Sequence, residues 1–226
     1  MLKKDIPEFY RLLAERTPNP KTELKSVNDY TLLVAVVLSA QATDAGVNLA
    51  TRDLFAKVRT PQAMVALSEE GLKQHIKTIG LFNTKAKNVI ALSRILVDQY
   101  GGEVPADRDA LEALPGVGRK TANVVMNTAF GHETFAVDTH VFRVANRTGL
   151  APGKTVLAVE TKLDKVTPQP YRRDAHHLLI LHGRYVCKAR KPECWRCVVA
   201  HLCRYQPKTP PPGTVPARLA KKGVKA

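Results

Sequence analysis

The chain has 226 residues, 44% of them hydrophobic, enough for one large or two small domains with real cores. Its formal net charge is +15 at pH 7; residues 207–226 hold five cations and no acid, which leaves +10 for the rest and favours a polyanionic partner. The longest strongly apolar run, Leu32 to Leu38, is too short to span a bilayer, no basic amphipathic helix suits a membrane surface, and MLKKDIPEFY lacks the apolar region of an export signal, so a soluble cytoplasmic protein is expected.

In chain order, residues 1–16 read as an amphipathic helix with Ile6, Phe9, Leu12 and Leu13 inward, broken by Thr17-Pro18-Asn19-Pro20. Residues 29–39 (DYTLLVAVVLS) are apolar on nearly every side. They predict a helix at a domain centre, although VAVVL would also suit a buried strand. Ser39 to Asp44 (SAQATD) is a helix boundary, with Thr43 or Asp44 as the next cap. Helices follow over 45–58, 61–66, 69–76 and 84–99. Between the last two lies Thr78-Ile79-Gly80-Leu81-Phe82-Asn83. Leu81 at such a turn is either a core residue or an exposed apolar wedge for a base stack.

Residues 107–113 form a short helix with Asp107 as its cap. Leu114-Pro115-Gly116-Val117-Gly118 is then a turn into a helix whose apolar stripe is Ala122, Val125, Met126, Ala129 and Phe130. Two glycines one residue apart permit positive φ and close backbone approach. A helix N-terminus just behind them is an anion site, and phosphate is the usual anion. A plain packing corner is the bland alternative. The turn at Gly80 echoes this spacing, since Gly80 to Ala86 matches Gly116 to Ala122. It lacks the second glycine and is not read as a phosphate site.

Lys120 falls in the first turn, opposite the apolar stripe. A lysine there works against the helix dipole, which favours its neutral, nucleophilic form; a surface phosphate clamp explains it equally well. Asp138 opens a pattern of Val141, Val144, Ala145 and Thr148, and reads first as an N-cap. Helices are expected over 154–165 and 171–186, with His176, His177 and His182 as hydrogen-bonded core residues. No strand alternation is convincing, so the fold is expected to be all-α.

All four cysteines, Cys187, Cys194, Cys197 and Cys203, fall within 17 residues as C-x6-C-x2-C-x5-C. Disulfides are disfavoured without export, so the thiolates should converge on a metal. Zinc usually takes two short hooks and only one exists here, which favours a [4Fe–4S] cluster without closing the question. Lys188, Arg190 and Lys191, with Glu193 opposing, would face a phosphate backbone.

LPGVGRKTANVV followed by VDTHVFRVANR resembles the helix-hairpin-helix glycosylase superfamily, and the hairpin lysine resembles its bifunctional branch. The resemblance covers nearly the whole chain and includes the cysteine spacing. It implies two helical domains with the active site in the cleft between them. Residues 1–21 with 133–211 would carry one [4Fe–4S] cluster, residues 22–132 would carry the hairpin, and 212–226 would be a basic, flexible tail. It implies Lys120 and Asp138 as the catalytic pair and Gly116 and Gly118 as backbone clips. Gln41 and Leu81 would fill the stack vacated by a flipped nucleotide, and His140 would contact phosphate or sugar. It further implies a monomeric base-excision enzyme acting on double-stranded DNA that carries oxidised or ring-saturated pyrimidines or abasic sites. Adenine or mismatch glycosylases of the same superfamily usually lack the hairpin lysine. A non-enzymatic clip with zinc gives no reason for Lys120 and Asp138 to flank one cleft, and a redox protein needs neither the basic surface nor the hairpin.

Overall fold

The computed structural model describes residues 1–214; the rest of the basic tail, 215–226, lies outside the described residues. Among the described residues there is no strand. Within residues 1–214 ten α-helices run in order: α1 Ile6–Arg16, α2 Asp29–Leu38, α3 Asp44–Lys57, α4 Pro61–Ile76, α5 Phe82–Tyr100, α6 Arg108–Glu112, α7 Arg119–Phe130, α8 Thr139–Thr148, α9 Val156–Val166 and α10 Ala175–Tyr185. Three single 3₁₀ turns, Lys3–Asp5, Gln169–Tyr171 and Cys194–Arg196, complete the set. Among the described residues no helix is long and apolar enough to cross a membrane.

Most helix starts follow from a polar cap. The side chains of Asn28, Thr43, Thr60, Asp107, Asp138 and Thr155 each accept from an amide in the first turn of the helix they precede. Asn28 and Thr31 form a reciprocal capping box, which turns the chain into α2. Three of the stops are glycines: Gly101, Gly131 and Gly149 take left-handed backbone at the ends of α5, α7 and α8. Helix α4 is two helical pieces interrupted at Ser68 (φ 69°, ψ 167°), which matches the break expected between 66 and 69.

The chain divides into two compact units, Lys21–Ala136 and Met1–Pro20 with the chain from Val137 onward. In the first unit α2 is the central rod, buried from Tyr30 to Leu38, so apolarity on every side is what its environment demands. Leu33 and Leu38 of this helix are fully buried, as are Leu54, Met64, Leu72, Leu92, Leu96 and Leu111 in the same core. Each such side chain contributes roughly 1.5–3 kcal/mol of burial free energy.

In the second unit α1 packs on α10, and α10 on α8. The buried face of α1 is Ile6, Phe9, Tyr10 and Leu13 rather than one that includes Leu12. Tyr10 can go inside because its hydroxyl pairs with Thr167 Oγ1 at 2.9 Å and its ring stacks on Tyr171 at 5.7 Å. Neither partner is near in sequence. His176, His177 and His182 are buried on α10 as expected, and burial lowers His182 to about 4.

Candidate active site and iron–sulfur centre

The hairpin between α6 and α7 is held from below by apolar residues. Leu111, Leu114, Val117 and Ala122 are all buried in the core of the first unit. Backbone bonds from Leu114 N to Leu111 O and from Val117 N to Leu114 O close the turn at 3.1 and 3.0 Å. The two glycines do different work. Gly116 has φ 79°, and a Cβ there would lie 3.0 Å from Asn88 Nδ2 and 3.1 Å from Asn88 Cβ. The positive φ favours glycine at that position, and a methyl there would press on Asn88. Gly118 has ordinary extended backbone (φ −100°) and nothing within 4 Å of where a Cβ would stand. Protein sterics do not require glycine there; the open space lies where a ligand would approach the backbone. No side chain caps α7, whose first two residues are Arg119 and the half-buried Lys120.

Asp138 Oδ1 accepts from His140 N at 2.9 Å and Val141 N at 2.8 Å, which makes it the N-cap of α8. Both capping bonds go to one oxygen. The cap itself therefore does not use Oδ2. The side chain is half-buried. His140 is also half-buried; its Nδ1 lies 3.1 Å from Arg143 Nη2, and its Cβ sits against Gly183 of α10, where an added methyl would come within 2.9 Å.

Gln41 and Leu81 share an unusual feature. Both are non-glycine residues with left-handed backbone, φ 54° and 59°, and both are exposed, Leu81 to 59%. Such conformations cost of order 1 kcal/mol or more and concentrate at functional surfaces. An apolar side chain held out in water at a strained turn is the opposite of a core leucine.

The four cysteines are free thiols that line one pocket, with His182, Pro192 and Tyr205 among its other walls. Burial pushes the Cys197 thiol up to about 11, with the other three cysteines adding in the same direction, and Cys187 is raised as well. Burial thus disfavours the thiolate at Cys187 and Cys197, which a cationic group bound there would offset. Among the described residues no three ligating side chains converge to hold a single ion. Four thiols around one pocket suit a group that meets each sulfur separately, as a four-iron cluster does. Tyr205 N donates to Cys203 Sγ at 3.4 Å and Arg147 Nη1 to Cys187 Sγ at 3.9 Å, the N–H contacts that stabilise anionic sulfur.

Two residues that sequence reasoning passed over, Arg143 and Arg147, tie this loop to α8. Arg143 Nε donates to Cys187 O at 2.8 Å and its Nη2 to Gly183 O at 2.7 Å. Arg147 donates to Lys188 O at 2.6 Å and Ala189 O at 2.8 Å, and its guanidinium covers the Tyr205 ring at 4.9 Å. The only signal was a pair of arginines four apart on the polar side of α8. One helix thus has Asp138 at its start and the iron–sulfur loop fastened to its far half.

Of the loop cations, Lys188 is engaged by Glu193 at 2.6 Å, and Glu193 also pairs with Arg196. Glu193, the one opposing charge in the loop sequence, thus engages Lys188 in particular. Arg190 and Lys191 are exposed, and Lys191 again has left-handed backbone (φ 49°).

Residues 34–169 match the HhH-GPD superfamily of base excision DNA repair proteins, and residues 187–203 match the iron–sulfur binding domain of endonuclease III. The chain is 59% identical over 201 residues to endonuclease III of Haemophilus influenzae, covering 89% of this chain and 95% of that protein, with the same figures for Escherichia coli strain K12. A trapped endonuclease III–DNA covalent intermediate superposes with a TM-score of 0.85 at 48% identity, covering 90% of this chain and 96% of that one. A thermostable thymine-DNA glycosylase matches at TM-score 0.80 and 27% identity, covering 89% of this chain and 96% of that one. A hairpin with an open second glycine and a lysine behind it, a half-used capping aspartate and a four-cysteine pocket thus coincide with likeness over nearly the full length, and the chain belongs to the endonuclease III family of helix-hairpin-helix base excision repair proteins.

Proposed function

We propose that Lys120 is the nucleophile and Asp138 the assisting carboxylate of this chain's reaction. The chain is a base excision repair enzyme, a DNA N-glycosylase that also cleaves at the abasic site, with a [4Fe–4S] cluster held by Cys187, Cys194, Cys197 and Cys203. The observation that carries the assignment is the position of Lys120, second residue of α7, directly behind the open space at Gly118. A phosphate gripped by the amides there brings its own sugar to the amine. The similar structure that is a covalent intermediate with DNA supports an amine route.

In the first step the neutral Lys120 Nζ bonds to C1′ of the sugar. The glycosidic bond breaks, and the base leaves with the electron pair and takes a proton. Asp138, through the oxygen that its cap does not use, stabilises positive charge on the sugar and takes up the proton that the amine sheds. The sugar ring then opens at C1′–O4′, with O4′ taking the proton that Asp138 holds, and the Schiff base so formed acidifies C2′–H. Loss of that proton breaks the C3′–O bond, and water then releases the amine. A base inside the duplex is out of reach, so it must first be flipped out. Exposed Gln41 and Leu81 would occupy the space it leaves, and His140 would contact the backbone. The cluster supplies no step of this chemistry; its residues fix the loop that presents Arg190 and Lys191 to phosphate.

The substrates are double-stranded DNA with oxidised or ring-saturated pyrimidines, and abasic sites. The enzyme would act as a cytoplasmic monomer. Borohydride trapping on a duplex with one oxidised pyrimidine tests the centre of this reading. Wild type should give a covalent adduct and Lys120→Ala none. Base release by wild type without an adduct would leave a monofunctional glycosylase run by Asp138.

A further inference from the structure

Among the described residues, Lys85 is the one lysine, arginine or carboxylate that is buried, at 5% exposure. Its Nζ touches no hydrogen-bond partner. An ammonium has three protons to donate, and a buried one without an acceptor opposes folding. Burial accordingly pushes its amine below the ordinary lysine range. Nothing in the reaction above uses it. A group kept at such a cost is expected to find its partner in a ligand.

The place of Lys85 in the fold says which ligand. It is the fourth residue of α5, and helical side chains lean toward the N-terminus, so the amine is carried toward the first turn. That turn has no side-chain cap. The first bond of the helix ladder is Lys85 N to Leu81 O at 3.0 Å, so the amides of Phe82, Asn83 and Thr84 have no acceptor within the helix. Three free donors, the positive end of a 19-residue helix and an unpartnered cation one turn inside form an anion site. The residue that opens it is Leu81, exposed on a left-handed backbone. Asn88, three residues after Lys85 on the same helix, is the side chain pressed against Gly116 of the hairpin. One helix therefore starts at the proposed wedge and abuts the proposed phosphate clip.

We infer that the N-terminus of α5, together with Lys85, binds a DNA phosphate distinct from the one held at Gly116 and Gly118. The inference rests on the reading of Leu81 as a DNA-facing residue. The absent second glycine, replaced in the echo motif by Phe82, does not bar it. The donors here are helix amides and a lysine whose flexible stem lets the amine swing out as DNA docks, rather than a backbone that must itself close on the phosphate.

The test uses the cluster-loaded enzyme and a duplex with an uncleavable abasic analogue, with affinity measured across a range of salt. Lys85→Met should bind about tenfold more weakly at moderate salt, with a log–log salt slope shallower by about one. Its melting temperature should stay level or rise, because an unpaired buried cation is replaced by an apolar chain of similar shape. An unchanged slope overturns the inference, as does a fall in melting temperature with affinity intact. Should Lys85→Met fail to fold, the ¹⁵Nζ resonance of Lys85 in wild type, assigned through Lys85→Arg, must shift when the duplex is added. A stationary resonance overturns it equally. Leu81→Ala run alongside separates the two ideas. If it leaves affinity intact, the DNA-facing reading of the turn falls and takes the inference with it. If it weakens binding while Lys85→Met does not, only the phosphate site falls.

Discussion

The hairpin and the iron–sulfur loop, the two regions proposed above to meet DNA, are held in opposite ways. The hairpin rests on a core. Leu111, Leu114 and Val117 are buried beneath it, and its Gly116 is pressed on Asn88. The loop has no such floor. Of its seventeen residues, 187–203, only Pro192 and Val199 are buried. Its shape comes from cysteines around one pocket and from two arginines of α8 that bind its carbonyls. The difference teaches where a cofactor is worth having in a small helical protein. A segment that can bury leucines needs none, whereas one too short for a core borrows its rigidity from metal–sulfur bonds.

The largest expected effect lies at Asp138, where the loop's supporting helix begins. Asp138→Asn keeps a good N-cap, so the melting temperature should hardly move. Base release should fall by about 10²–10⁴-fold if the oxygen outside the cap is chemical. Full single-turnover activity in this variant would reduce Asp138 to a cap and leave the hairpin to work alone.

Cys203→Ser separates the two supports directly. Iron content should drop, and residues 187–203 should become cleavable by proteases. Hydrogen exchange over 114–130 should stay as in wild type, since that segment is held by a core in the other unit. Exposure of the hairpin as well would show that the two regions are not independently held.

The glycines sharpen the hairpin side. Gly116→Ala meets Asn88 at 3.0 Å on positive-φ backbone and should cost about 1–3 kcal/mol in denaturant unfolding. Gly118→Ala meets nothing and should cost well under half of that, yet still weaken DNA binding because its methyl fills the ligand's space. Equal stability losses would contradict the division of labour between them.

The smallest effect concerns a single loop cation. Lys191→Glu should lower affinity severalfold and reduce its salt dependence while the cluster absorbance survives. Lys188→Glu should do less to DNA binding, because Lys188 is already engaged by Glu193. If the two variants weaken binding equally, the ion pair gives way to phosphate on docking.

Much of this molecule is legible without coordinates because its signals are local. Asp107 and Asp138 cap helices as their spacing says, α4 breaks where its pattern breaks, and α2 is buried on every side because it is apolar on every side. The four cysteines announce a metal centre by composition alone. What only the tertiary structure decided depends on residues far apart in the chain. Tyr10 replaces Leu12 in the core because Thr167 and Tyr171 meet it. Arg143 and Arg147 become struts of the iron–sulfur loop because carbonyls some forty residues later accept from them. Lys85, four residues from an exposed leucine, looks in sequence like any solvated lysine, and only packing shows it buried without a partner. Helix period and caps are written within a turn or two of the chain, whereas a partner for a polar group is chosen by folding from the whole of it.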